Sequence, residues 1–136
     1  MRPLPLPLLP FACVTLAACA AAPQAASTFT LARGQSADIA PGLSLSFDAV
    51  DDSRCPPGVR CVWAGRLSYR FSLRRAGQPP ETVTLSPGQP AAAPALLDGR
   101  RIVLDEAAIP AAPAPGAAID YRATIAILPS NLPTTP

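Results

Sequence analysis

The string CVWAGRLSYRFSLRR occupies residues 61–75, and its alternation decides the fold. Counting from Cys61, the odd positions are Cys61, Trp63, Gly65, Leu67, Tyr69, Phe71 and Leu73. From Arg66 the even positions are Arg66, Ser68, Arg70, Ser72 and Arg74. A period of two sends alternate side chains to opposite faces of a strand, whereas the 3.6 period of a helix would scatter the arginines around its axis. The expectation is a half-buried strand with an apolar inner face and an arginine–serine outer face. Parity also places Cys61 and Trp63 on the inner side, with Trp63 packed against the sulfur of Cys61.

Outward from this strand, the pattern repeats. Downstream, residues 76–80 (AGQPP) read as a turn, and residues 81–86 as the next strand, with Val83 and Leu85 inward. Keeping the two apolar faces together predicts Leu73 opposite Val83, Phe71 opposite Leu85 and Arg75 opposite Glu81. Upstream, residues 43–50 alternate, with Leu43, Leu45, Phe47 and Ala49 on one side and Ser44, Ser46 and Asp48 on the other. Before them lie short strands at 28–32 and 37–40, the second ending at the turn pair Pro41-Gly42. Beyond residue 86, a proline–alanine loop spans 87–94, Asp98-Gly99 signals a tight hairpin, and residues 101–105 form a strand. Residues 106–109 suit one helical turn, and residues 117–128 make the last strand. Nineteen prolines oppose long helices, since each costs about 3 kcal/mol in a helix interior. About seven short strands in one chain of 136 residues predict an all-β, single small antiparallel β-sandwich of Ig-like size with one disulfide.

The N-terminus reads as a targeting segment. Arg2 is a positive n-region, and the apolar run that follows is too short and too proline-punctuated for a membrane span of about 20 residues. It ends in Leu16-Ala17-Ala18-Cys19, which looks like a bacterial lipobox, with Cys19 the acylated residue of the mature chain. The expected organisation is a signal peptide over 1–18, a flexible small-residue tether over 19–27, the β-domain over 28–128 and a disordered, proline-rich tail over 129–136. The mature protein would be held at the membrane through its N-terminal lipid, in the bacterial envelope, with the outer membrane facing the periplasm as the expected site.

Export bears on the cysteines. Cys13 leaves with the signal and Cys19 carries lipid, so Cys55 and Cys61 remain in a compartment that permits disulfides. Two zinc ligands at this spacing would need two more, and the chain contains no histidine. A Cys55–Cys61 disulfide is therefore expected. It pins the turn at Pro56-Pro57-Gly58, and its seven-residue ring stabilises the fold by roughly 2 to 2.5 kcal/mol.

Candidate contacts follow from exposure and charge. Arg66, Arg70 and Arg74 form a stripe that suits an anionic glycan or lipid headgroup, or simply a solvated strand face. Arg60, next to Cys61 in a proline-rich loop, has the form of a preorganised contact to an enzyme. Asp48, Asp51 and Asp52 are better read as turn acceptors, with Arg54 or Arg66 compensating Asp52, than as a calcium site. No metal or other cofactor is expected. The net charge of +2 and the lack of a basic cluster interleaved with aromatics argue against nucleic acid. Without histidine, a free thiol, a G-x-S-x-G elbow or a glycine-rich phosphate loop, catalysis has no candidate residues. The reading is a non-catalytic domain that binds or scaffolds; the alternative is an inhibitor of an envelope or host enzyme acting through the Cys55–Cys61 loop.

The segments Asp52-Ser53-Arg54-Cys55-Pro56 and Cys61-Val62-Trp63-Ala64-Gly65 resemble those of an uncharacterised family of small bacterial secreted proteins and lipoproteins. Residues 34–47 and Tyr121-Arg122-Ala123-Thr124 share the likeness. The resemblance implies an exported β-domain with a disulfide and assigns no activity.

Overall fold

Short alternating runs bury one face only when a second sheet covers it, and two sheets form here. In a computed structural model, residues 25–130 are described. The expected signal peptide, the Cys19 lipidation site, most of the tether and the last six residues of the tail lie outside them.

The strands are β1 (Ser27–Ala32), β2 (Ser36–Ala40), β3 (Leu43–Asp52), β4 (Leu67–Arg75), β5 (Glu81–Leu85), β6 (Ala91–Ala92), β7 (Arg101–Leu104) and β8 (Arg122–Leu128). One sheet has the order β1-β8-β7-β6 and the other β2-β3-β4-β5, with antiparallel pairing throughout. The protein is a small all-β sandwich. Its core comes from both inner faces: Leu43, Leu45, Phe47, Tyr69, Phe71, Leu73 and Leu85 from one sheet, Ile102, Leu104, Ile125 and Ile127 from the other. Phe47 stacks on Phe71 at 5.3 Å between ring centroids and tilts against Tyr69 at 5.6 Å. No helix among the described residues is long and apolar enough to cross a membrane.

Several details depart from the alternation. β3 carries a bulge at Asp48, so its pairing with β4 shifts between Phe47↔Phe71 and Ala49↔Arg70. The extra residue reverses parity beyond it. Ala49 therefore lies opposite outward-facing Arg70, and Val50 opposite buried Tyr69. The β4–β5 register is offset by two residues from expectation: Phe71 faces Val83, Tyr69 faces Leu85 and Leu73 faces Glu81. Faces are preserved because the shift is even. Pro79 and Pro80 lack amide donors and lengthen the turn, and Arg75 and Glu81 both engage one other segment instead of each other. Glu81 accepts from the amides of Ala95 and Leu96, both at 3.0 Å, while Arg75 donates to the Leu96 carbonyl at 2.9 Å and to Asp98 at 2.8 Å.

That segment is the 3₁₀ turn Ala95–Leu97, which buries Leu96 and Leu97. Asp98-Gly99 is its left-handed exit (φ 53° and 84°), not a two-residue hairpin. The expected loop over 87–94 contributes the two-residue strand β6, bringing the count to eight. The helical turn after β7 is the 3₁₀ turn Glu106–Ala108, capped by Asp105 accepting from the Ala107 amide at 3.0 Å. β8 begins at Arg122, five residues later than alternation suggested, because residues 117–121 have no neighbouring strand to pair with.

Candidate functional site: a disulfide-braced ribbon

Beyond Asp52↔Leu67 the β3–β4 hairpin continues in the same register. The Ser53 amide donates to the Arg66 carbonyl at 2.8 Å, and the Cys55 amide to the Ala64 carbonyl at 3.0 Å. β2 pairs with β3 only near the other end, and β5 pairs with β4 only over residues 69–73. Residues 53–66 thus leave the sandwich as a two-stranded ribbon with no second sheet above it.

This geometry overturns the parity reading of Cys61 and Trp63. Both are exposed, Trp63 at 66%. Strand alternation assigns a side, but the side is buried only where another layer covers it. Gly65 also interrupts the strand, at φ 70°, and a side chain there would place its Cβ 1.7 Å from the Ser53 carbonyl oxygen. The Cys55–Cys61 disulfide is formed, with Cα atoms 5.9 Å apart. It closes the tip together with a turn in which the Val59 amide donates to the Pro56 carbonyl at 3.3 Å. Arg60 stands exposed at this tip between Val59, 45% exposed, and Val62, fully exposed at 102%.

The ribbon is fastened at its root by a polar cluster. Asp52 points inward and its side chain is only 5% exposed. Its Oδ1 accepts from the Arg54 amide at 3.1 Å and Nε at 2.9 Å, and its Oδ2 accepts from Arg54 Nη2 at 2.6 Å and Tyr121 Oη at 2.7 Å. Arg54 Nη1 donates to the Pro110 carbonyl at 2.9 Å, tying the ribbon to the long 109–121 connection. Of the two arginines considered for Asp52, Arg54 is the partner. Its hydrogen bond is the main reason the Asp52 carboxyl is lowered to about 2, with that of Tyr121 acting in the same direction against desolvation. Desolvation first, then the bond to Asp52, pushes the Tyr121 hydroxyl up to about 12. Tyr69 lies fully buried nearby, its hydroxyl has no hydrogen-bond partner, and burial raises its pKa. Tyr121 was not anticipated as part of this group. Its signal was available, as a tyrosine on the inward parity of the last apolar run, where a hydroxyl needs a partner.

The other two aspartates separate from Asp52. Asp48 sits on the bulge, exposed, and accepts from the Ser72 hydroxyl; Asp51 faces outward opposite Ser68. Among the described residues no group of acids and cysteines is arranged to hold a metal ion.

The arginines of the expected stripe are all exposed. Arg66 belongs to the ribbon, Arg70 lies between Ala49 and Thr84, and Arg74 lies opposite Ser44. Four strand residues separate the backbones of Arg70 and Arg74 by about 13 Å. Asp38, Asp48 and Asp51 occupy the same sheet's outer side, so its charge is mixed. A groove of about 480 Å³ at the far end includes Arg74 together with Asp38, Ser44 and Gln78.

Compared with known proteins, the chain matches no family model, no curated protein and no solved structure.

Proposed function

We propose that this chain is a lipid-anchored domain of the bacterial cell envelope that works by binding, not catalysis, and that the disulfide-braced ribbon is its contact surface. The observation that carries the reading is the exposure of Val59, Val62 and Trp63 on one short, cross-linked tip. Exposed apolar surface gathered at one place is where contact with a partner or membrane is expected, and these three side chains fall within five positions of one tip. The lipobox-like Leu16-Ala17-Ala18-Cys19 and the likeness of the cysteine segments to small exported proteins support the envelope assignment. The root cluster supports a non-catalytic role, because Asp52, Arg54 and Tyr121 satisfy one another and hold the ribbon in place.

The test joins the two halves of the proposal. Intact mass of the membrane fraction is expected to show an acylated N-terminus at Cys19, with Cys19→Ser left unprocessed or released. A photo-crosslinker at Val62 is expected to capture envelope material that the same probe at Thr82, on the sheet face, does not. An unmodified mature N-terminus elsewhere contradicts the anchor, and equal capture from both positions contradicts the ribbon as the contact.

A second reading rests on Arg60. It is exposed beside a half-cystine in a turn with two prolines, the form of a preorganised loop offered to a trypsin-like enzyme. On that reading the protein inhibits such an enzyme and Arg60→Ala abolishes inhibition; an inactive wild-type protein removes it.

A further inference from the structure

We infer that the ribbon tip is a docking point for an anionic lipid bilayer. Val59, Val62 and Trp63 are the exposed large hydrophobic residues among the described ones, and they fall in one stretch of five positions. Arg60 lies within that stretch and Arg66 at the ribbon's neck, both exposed and neither with an ion-pair partner among the described residues. Residues 53–66 contain no acid; the third arginine, Arg54, is neutralised by Asp52. The ribbon therefore presents exposed apolar side chains and an uncompensated positive charge at its tip, with a second positive charge at its neck. Tryptophan favours the headgroup level of a bilayer, and arginine is drawn to anionic leaflets.

Size separates this target from a folded protein. A stable protein interface covers about 800 Å² on each partner, and three side chains on a two-stranded ribbon fall well short. A bilayer closes around a small wedge and sets no such minimum. The disulfide and the pairing of residue 53 with 66 and 55 with 64 hold the wedge in shape, so little order is lost on docking.

The inference rests on the reading above for the existence of a membrane anchor, and the two together set the domain's attitude. Ser27 pairs with Ile127 at the end away from the ribbon, whereas Ala32, next to Tyr121, lies at the ribbon's root. β4 alone is about 27 Å long and the paired part of the ribbon adds about 10 Å. A tether from Cys19 to Ser27 reaches at most about 28 Å. Lipid and tip can meet one bilayer only with the long axis of the domain tilted well away from the membrane normal.

Trp63 is the sole tryptophan and reports directly. The mature chain recovered from cells is mixed with phosphatidylcholine vesicles, with or without phosphatidylglycerol, including lipids brominated in the acyl chain. The expected result is a blue shift and quenching of Trp63 on the anionic vesicles. Arg60→Ser with Arg66→Ser weakens docking about 25-fold, at about fivefold per arginine, and Val62→Asp removes the shift, while far-UV circular dichroism of both variants is unchanged. Trp63 emission that stays water-like on anionic vesicles overturns the inference, as does an equal shift on phosphatidylcholine alone. Inhibition of a trypsin-like protease by the wild-type chain, with no Trp63 shift on vesicles, overturns it in favour of a protein target. Mass at Cys19, read on the same sample, separates the two claims: docking without an acyl group sinks the anchor alone, and an acyl group without docking sinks the tip alone.

Discussion

Asp52 is the residue on which the ribbon's placement depends. Its carboxylate is nearly buried and survives as an anion because Arg54 and Tyr121 both donate to it. The pH dependence follows. A carboxyl lowered from 3.8 to about 2 contributes stability that is complete above about pH 4 and is lost as pH falls through 2. The raised Tyr121 acts at the other extreme: its contribution is complete below pH 10 and is lost as pH rises toward 12. Unfolding free energy measured against pH should be flat between these limits as far as this pair is concerned. Asp52→Asn should lose about 2 kcal/mol at pH 7 and flatten the acid limb, following from about 1.4 kcal/mol per pKa unit; an acid limb unchanged in the variant contradicts the assignment. Tyr69 makes the opposite prediction. A buried hydroxyl without a partner costs about 1–3 kcal/mol, so Tyr69→Phe should leave denaturant stability equal or raise it by about 1 kcal/mol. A clear loss would mean that the hydroxyl is bonded in solution.

At the scale of elements, strand identity and inner faces were legible from the period of two, because Leu67, Tyr69, Phe71 and Leu73 alternate with serine and arginine without interruption. Register was less so. Parity allows any even offset, and the choice between Leu73 opposite Val83 and Leu73 opposite Glu81 was made by two prolines in the turn and by tertiary bonds from Arg75 and Glu81. The bulge at Asp48 left no mark in the pattern: Ala49 is small enough to suit either face, and only the ladder reveals the reversal. The cysteine loop was legible as a disulfide and illegible as a ribbon, since alternation persists through Trp63 and Cys61 although no layer covers them. The disulfide's contribution belongs at this scale. Cys55→Ser with Cys61→Ser should lower stability by roughly 2 kcal/mol, with amide exchange rising in residues 56–63 and little changed in β4 and β8. Loss of protection throughout both sheets would show that the bridge holds the fold and not only the tip.

The whole molecule sets a polar, mixed-charge sandwich between two unlike ends. One end receives the N-terminal segment at Ser27; the other projects a cross-linked tip carrying apolar side chains and arginine. Composition indicated a single β-domain, and the N-terminal sequence pointed to export, but the separation of the two ends came only from topology, through the antiparallel pairing of β1 with β8 and the extension of β3 and β4 past their neighbours. On the proposed reading the ribbon is a working surface and not a brace folded against the sandwich. The most direct test is the accessibility of Trp63 to a neutral aqueous quencher, measured on the protein in solution and again after mixing with anionic membranes. Free quenching in solution and protection at the membrane is the predicted result; protection already complete in solution would show that Trp63 packs against the protein and would contradict the claim.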